Sequence, residues 1–218
     1  MKILVLILAS DNTSYYKDFQ LCWKRYMNLY PNIDCYFYKG NQYISTPFHY
    51  NDNDNEIIIK LNDNYNTIYE KTLKVFEYFY NDLHKYDYVY RANLSSFIRF
   101  DKYLELCKSF QKTNFCSAII GKYNNIYFPS GCGYTLSPDL VKRLVDEKPQ
   151  YICMDDVSVG LALMNWKIQI TPMERYDIQN NENINLLNTN IFHFRIKTHN
   201  RTNDVNYYNK LIDKYYQV

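Results

Sequence analysis

The chain lacks the charge excess and the long apolar runs that mark two large classes of protein. Its 25 Lys and Arg residues nearly balance 23 Asp and Glu, which leaves a net charge of +2 over 218 residues. A nucleic-acid surface needs a strongly basic face, so this balance argues against such a partner. The apolar run at residues 3–9 is too short to cross a bilayer, and no small-residue cleavage site follows it. We interpret it as a buried first strand and predict no transmembrane segment.

The cysteines show no pattern typical of a metal site or a disulfide framework. No Cys-x-x-Cys pair is present, and most of the thiols fall within apolar runs, where cysteine behaves as a small hydrophobic residue. We therefore expect a reduced, cytoplasmic protein. The six cysteines are Cys22, Cys35, Cys107, Cys116, Cys132 and Cys153.

Strand-like and helical patterns alternate along the chain, with no internal repeat. This alternation predicts an α/β fold with a mostly parallel, twisted sheet flanked by helices, in a single domain over residues 1–218. Ligands in such sheets bind beyond the carboxyl ends of the strands, so segments 10–14, 91–96 and 128–133 should converge on one cleft. Helices are predicted at 16–30, at 68–83 and after Ser137-Pro138-Asp139. Strands are predicted at 3–9, 34–39, 56–60, 86–91, 115–121, 167–172 and 190–195.

Two short motifs carry most of the functional signal. Residues 127–140 place Ser130, Gly131 and Gly133 shortly before the Ser137 helix, which predicts a compact glycine turn that presses backbone against a ligand. Residues 154–161 place Asp155 and Asp156 at the start of another helix, where a carboxylate could take a proton from a hydroxyl. Each motif has a simpler explanation as well, since acids stabilise helix starts and glycines form ordinary turns.

Read in order, these motifs resemble the GT-A nucleotide-sugar glycosyltransferases, most closely the β1,3-glycosyltransferase group of Fringe and the galactosyltransferases. The resemblance covers about residues 62–163. It includes the segment 64–72, an aromatic-rich helix, the strand Tyr-Asp-Tyr-Val-Tyr at 86–90, the Ser-Gly-Cys-Gly-Tyr segment at 130–134 and the Asp-Asp-Val of 155–157. It implies a single GT-A domain that transfers sugar from a nucleotide donor.

One departure from the family concerns its metal-binding Asp-x-Asp motif. The corresponding positions here hold Asn93 and Ser95, and Mg²⁺ and Mn²⁺ prefer carboxylate oxygens. We therefore expect no required cofactor and no metal ligands, with weak Mn²⁺ or Mg²⁺ binding as the alternative. Arg91 and a late basic cluster could neutralise a leaving diphosphate in place of the metal. That cluster comprises His193, Arg195, Lys197 and Arg201.

The resemblance also assigns roles to individual residues. Asp156 would be the general base of an inverting reaction and Asp155 would orient the acceptor, although the sequence leaves inversion against retention open. The segment Ser130, Gly131, Cys132 and Gly133 would contact the acceptor or the donor sugar. Donor-binding residues would be Ser10, Asp11, Lys71, Arg91, Asn93, Ser95, His193, Arg195 and Lys197.

These roles imply a hexosyl- or deoxyhexosyltransferase with a UDP-sugar donor and a glycan or glycoprotein acceptor. Ordinary explanations remain for some residues: Lys71 could be an exposed helix lysine, and His193 a core histidine. The rival hypothesis is a catalytically inactive GT-A-like module that binds nucleotide or glycan. A Rossmann methyltransferase is disfavoured, because no glycine-rich turn follows the first strand.

Overall fold

The computed structural model describes residues 1–187 and 189–218. Its strands are β1 (Ile3–Leu8), β2 (Ile33–Gly40), β3 (Phe48–Asn51), β4 (Glu56–Ile59), β5 (Tyr88–Asn93), β6 (Ser96–Ile98), β7 (Cys116–Tyr123), β8 (Ile126–Leu136), β9 (Ile170–Pro172), β10 (Tyr176–Asp177) and β11 (His193–Arg195). Its α-helices are α1 (Ser14–Lys24), α2 (Ile68–Tyr78), α3 (Phe100–Cys107), α4 (Pro138–Glu147), α5 (Asp155–Asn165) and α6 (Arg201–Tyr215). None of the helices in these two ranges has both the length and the apolar character needed to cross a membrane.

Eight strands form the main sheet in the order β3-β4-β2-β1-β5-β8-β7-β9, and β10, β11 and β6 form a small second sheet. β1 pairs in parallel with β2 and β5, and the pairs β2–β4 and β7–β9 are parallel too. β8 runs antiparallel between β5 and β7. Helix α2 packs against β2 and β4, and α5 packs against β8. The predicted α/β class, with a mostly parallel sheet flanked by helices, is confirmed.

The centre of the core is β1, which has a paired strand on each side. A strand buried on both faces needs a continuous apolar run, and Ile3 to Ile7 are all fully buried. The interpretation of residues 3–9 as a strand is therefore confirmed. Aromatic side chains extend the core between the sheet and α1 and α6, where Trp23 and Tyr26 lie beside Tyr208.

The structure corrects the prediction of a glycine turn. Residues 130–133 lie inside the eleven-residue strand β8, and Gly133 pairs with Ala92 of β5. Neither Gly131 nor Gly133 has a positive φ. The missing Cβ matters for packing instead, because a Cβ on Gly133 would lie 2.1 Å from the Tyr90 hydroxyl oxygen.

Element bounds also differ from the predictions at several helices. The helix predicted at 16–30 is Ser14–Lys24, and the pattern at 68–83 divides into α2 and a 3₁₀ segment, Tyr80–Lys85. Helices α3 and α6 were not predicted. In α6, polar Asn, Asp and Lys residues separate the buried positions, so the sequence shows no clear apolar helix face there.

Candidate active site

The carboxyl ends of β1 and β5 meet at one edge of the sheet, where a cavity of about 510 Å³ opens. The parallel register places Leu8 opposite Asn93, so the residues that follow both strands reach the same place. Predicted site residues on the cavity wall are Ser10, Lys71, Asn93, Ser95, Arg195 and Lys197. Segments 10–14 and 91–96 thus converge as predicted. Segment 128–133 joins them through a 3.4 Å hydrogen bond from the Asn93 amide to the Gly131 carbonyl.

The cavity wall combines positive charge with aromatic rings. Four cationic side chains line it, against a single carboxylate, that of Asp63. Arg195 is half-buried and Lys197 is exposed. The rings belong to Tyr15, Tyr16 and Tyr65. Such a wall suits a ligand that carries both phosphate charge and planar or apolar ring faces. The cations are Lys71, Arg195, Lys197 and Arg201.

Lys71 is a buried residue of the cavity wall, not an exposed helix lysine. Its ammonium group forms an ion pair with Asp63. The same carboxylate accepts a hydrogen bond from the Ser10 hydroxyl at 2.7 Å. Asp63 therefore fixes two cavity residues, yet sequence reasoning missed it within a polar, Asn-rich loop. The sequence signal available for this ion pair was an acidic residue eight positions before Lys71.

The two acids open α5 as predicted, and each is held by a different partner. The Asp156 carboxylate accepts hydrogen bonds from the Gly131 N–H at 2.9 Å and the Val157 N–H at 3.0 Å. Burial raises the pKa of Asp156, the neighbouring charge of Asp155 raises it further, and the Gly131 N–H opposes this. Asp156 remains partly exposed. It is thus a reachable carboxylate with more affinity for a proton than an ordinary aspartate has.

The structure corrects the role predicted for Arg91. Its side chain is 2% exposed and does not line the cavity, so it is not placed to contact a donor phosphate. The guanidinium instead forms a 2.8 Å ion pair with Asp155. It also donates to the Tyr38 hydroxyl at 3.1 Å and to the Gly131 carbonyl.

Asn93 and Ser95 stand where GT-A enzymes carry metal-binding acids. With Ser96 they form a hydrogen-bonded group of neutral side chains. The Ser95 hydroxyl donates to the Asn93 side-chain oxygen at 3.0 Å, and the Ser96 hydroxyl lies 3.2 Å from the same oxygen. Mg²⁺ and Mn²⁺ favour charged oxygen ligands, and this group supplies none. The carboxylate that shares the cavity wall with this group, Asp63, is already bonded to Lys71 and Ser10. Asp155 and Asp156 are bonded to Arg91 and Gly131. The donor set therefore does not fit a divalent metal.

His193 lies in the core rather than on the cavity wall, which corrects its predicted place among the cations. It is 1% exposed, and its Nδ1 lies 3.3 Å from the Tyr90 hydroxyl. Burial, with added repulsion from Arg175 and Arg195, lowers its pKa to about 3. The ring is neutral at physiological pH and brings no positive charge to a diphosphate.

Asp11 and the predicted segment of Ser130, Gly131, Cys132 and Gly133 are not on the cavity wall either. Asp11 is exposed, and its carboxylate pairs with Lys39 at 2.7 Å, so the structure does not place it with Ser10 on the cavity wall. Cys132 and Gly133 are buried in β8, which corrects their predicted contact with acceptor or sugar. Ser130 and Gly131 remain partly exposed.

Comparison with known proteins supports the fold. No family model matches the chain, and no curated protein matches it. Among solved structures, 121 chains match. One is described as the crystal structure of a glycosyltransferase involved in the glycosylation of the major capsid of PBCV-1. It aligns with 96% of this chain and 100% of its own length, with a TM-score of 0.58 and 9% sequence identity. The chain therefore shares the fold of a glycosyltransferase.

Proposed function

We propose that this protein is a glycosyltransferase that moves a sugar from a UDP-sugar to a hydroxyl of a glycan or glycoprotein acceptor. One observation carries the proposal: the Asp156 carboxylate, held by the Gly131 N–H and partly exposed, is not itself on the cavity wall but lies close to Tyr65, one of the tyrosines that line the cavity together with the cations. The Asn93 amide, on the cavity wall, bonds to the carbonyl of the same Gly131. The shared fold with a glycosyltransferase supports the assignment. Membership in the GT-A β1,3 group, with hexose or deoxyhexose transfer, stays a prediction.

In the proposed reaction, Asp156 takes the proton from the acceptor hydroxyl as that oxygen attacks the anomeric carbon. The bond between this carbon and the diphosphate oxygen breaks, and UDP leaves with the bonding electrons. This inverting course needs a base that is ionised at neutral pH yet has a high affinity for a proton. Burial raises the pKa of Asp156, which increases its affinity for a proton, and its carboxylate is still reachable from solvent.

Cationic side chains would stabilise the leaving diphosphate, because the Asn93–Ser95 group supplies no charged metal ligand. Arg195 and Lys197 line the cavity, and Arg201 lines it from the start of α6. Arg195 lies 3.9 Å from the Asp177 carboxylate and Arg201 pairs with Asp204, so Lys197 is the wall cation without a carboxylate partner among the described residues. Fixed positive charge at the position where negative charge develops lowers the barrier without a metal ion. Sequence reasoning placed Arg195 and Lys197 in this role, and the cavity wall is consistent with it.

The rival function, a non-catalytic nucleotide- or glycan-binding module, predicts donor binding without donor cleavage. UDP release from a panel of UDP-sugars, with and without candidate acceptors, separates the two functions. We expect release by the wild-type protein. Binding of a UDP-sugar without any release of UDP would favour the binding module.

The decisive variant is Asp156→Asn, which we expect to lower transfer at least 100-fold, as for loss of a general base. The fold should survive, because the raised pKa means that the charged form of Asp156 costs stability at neutral pH. The matched control is Asp101→Asn, another acid in the first turn of a helix, whose partner is Arg99. Wild-type transfer by Asp156→Asn would refute the catalytic assignment.

A further inference from the structure

Arg91 occupies an unusual place for a charged side chain, since it is fully buried beneath the two acids. Each nitrogen of its guanidinium has a different partner. Nε donates to the Tyr38 hydroxyl, Nη1 to the Gly131 carbonyl and Nη2 to the Asp155 carboxylate. Tyr38 is held in turn by a 3.0 Å hydrogen bond to the Thr72 hydroxyl on α2. Tyr38 of β2, itself held by Thr72 of α2, therefore anchors one side of the guanidinium. The two other nitrogens donate to Asp155 and to the β8 backbone.

We propose that Arg91 is a positioning residue that neutralises Asp155 and orients the Gly131 peptide, so that Asp156 alone serves as the proton acceptor. This inference rests on the proposed function of Asp156. It assigns Arg91 no contact with donor or acceptor. It also gives Asp155 a specific role, as the counter-ion that keeps the buried arginine in place.

The orientation reaches Asp156 through the backbone around one glycine. The Gly131 carbonyl accepts from Arg91, and the Gly131 N–H donates to Asp156 at 2.9 Å. The carbonyl and the N–H of Gly131 belong to two planar peptide units that meet at its Cα, so Arg91 holds one unit and Asp156 the other, with only the φ and ψ of Gly131 between them. Side-chain bulk at Gly131 is restricted as well, because a Cβ there would lie 3.2 Å from Asp156 Oδ2 and 3.3 Å from Arg91 Nη1.

Arg91 also acts on Asp156 through its charge, independently of the backbone around Gly131. Two adjacent carboxylates oppose each other's ionisation, and a nearby cation relieves that repulsion. Asp155 raises the pKa of Asp156 while Arg91 lowers it. The other titratable groups that interact with the acids are phenols whose pKa values are raised by burial, so they are uncharged in the range where a carboxylate titrates. They are Tyr38 from β2, Tyr134 from β8 and Tyr65 from the turn before α2.

The test measures the ionisation of Asp156 directly, by ¹³C NMR titration of the protein labelled at aspartate side-chain carboxyls. Comparison with Asp156→Asn assigns the resonance. In Arg91→Met, the Asp156 resonance should titrate at higher pH than in the wild type. In Asp155→Asn it should titrate at lower pH. In the double variant the two changes oppose each other, so the titration should fall between those of the single variants.

The double variant also keeps the test informative if Arg91→Met fails to fold. Removing both members of a buried ion pair is tolerated better than leaving one charge unpaired. Tyr38→Phe is the matched control, because it removes one hydrogen bond to Arg91 without changing any charge, and the Asp156 titration should stay at the wild-type pH. An unchanged titration in Asp155→Asn, or a double variant that titrates at the same pH as Asp155→Asn, would overturn the proposal.

Rates give a second and separate readout. The acid limb of kcat/KM against pH should move in the same direction as the NMR titration in each variant that folds. Arg91→Lys keeps the charge, so its acid limb should stay closer to that of the wild type than the limb of Arg91→Met does. A wild-type protein that releases no UDP would refute the proposed function, whereas the titrations are measured without substrate and test Arg91 on their own. Acid limbs that do not follow the titrations would overturn the positioning role.

Discussion

Replacing Gly160 by alanine should move the helix that carries the two acids. An alanine Cβ would lie 2.4 Å from the Phe128 Cβ and 2.7 Å from the Tyr127 carbonyl oxygen. The first distance is about 1 Å below the separation at which carbon atoms attract. Both obstacles belong to the main chain of β8 or sit directly on it, so a side-chain rotation cannot relieve them. Helix α5 must therefore shift away from β8.

The magnitudes decide the sign of the effect on stability. Alanine in place of glycine inside a helix gains about 1 kcal/mol in propensity. Overpacking costs roughly 1–3 kcal/mol, and more where the backbone is the obstacle. We expect a net loss of about 2 kcal/mol, which for a chain of this size lowers Tm by roughly 4–8 °C. Transfer should fall more steeply, because a shift of about 1 Å at the reacting groups costs on the order of 100-fold.

A matched substitution in β7 tests the reasoning. An alanine Cβ at Gly121 would lie 2.3 Å from Cζ of the same Phe128, at the far end of its ring. Phe128→Ala should therefore relieve Gly121→Ala and leave the cost of Gly160→Ala unchanged, as measured by thermal unfolding of the single and double variants. Gly160→Ala with a Tm at or above that of the wild type would refute the argument. The argument would also fail if Phe128→Ala reduced the stability losses of Gly121→Ala and Gly160→Ala equally.

Three further outcomes follow from the site. UDP-sugar affinity should change less than tenfold between Mn²⁺ and EDTA, since Asn93 and Ser95 supply no charged ligand; a larger loss in EDTA would mean that other groups hold a metal. Arg195→Ala and Lys197→Ala should each weaken UDP and UDP-sugar alike and barely change the binding of uridine; unchanged UDP affinity in both would make them ordinary surface cations. The transfer rate should fall as the pH drops through the pKa of Asp156, which burial raises above the ordinary aspartate value, and a rate that is flat there would argue against an aspartate base.

Sequence patterns predicted the features that a few neighbouring residues determine, such as helix starts and strand ends. The acidic start of α5 and the Ser137-Pro138 start of α4 were both predicted correctly, because helix termini are specified by a few adjacent residues. The convergence of segments 10–14 and 91–96 was also predictable, since strand ends in a parallel sheet share an edge.

Contacts between distant parts of the chain were not predictable in this way. From the sequence, Gly131 and Gly133 suggested a turn. In the structure they lack a side chain because residues distant in sequence occupy the space that a Cβ would need. The ion pair between Arg91 and Asp155 joins residues 64 positions apart. Burial of His193 against Tyr90 removes the charge that its spacing from Arg195 suggested. No pattern within a short window carries this information.

The small sheet has a consequence for the order in which the protein becomes competent during synthesis. β11 pairs with β6, which lies about a hundred residues earlier, and Arg195 at the end of β11 lines the cavity beside the end of β5, with Lys197 and Arg201 after it. A ribosome-bound chain that stops before Arg195 can complete β1, β2 and β5 but carries only Lys71 of the four cavity cations. Under the proposed function, a nucleotide sugar would meet the full set of cavity cations only after Arg201 has been made, and its binding energy would stabilise only chains that include these residues.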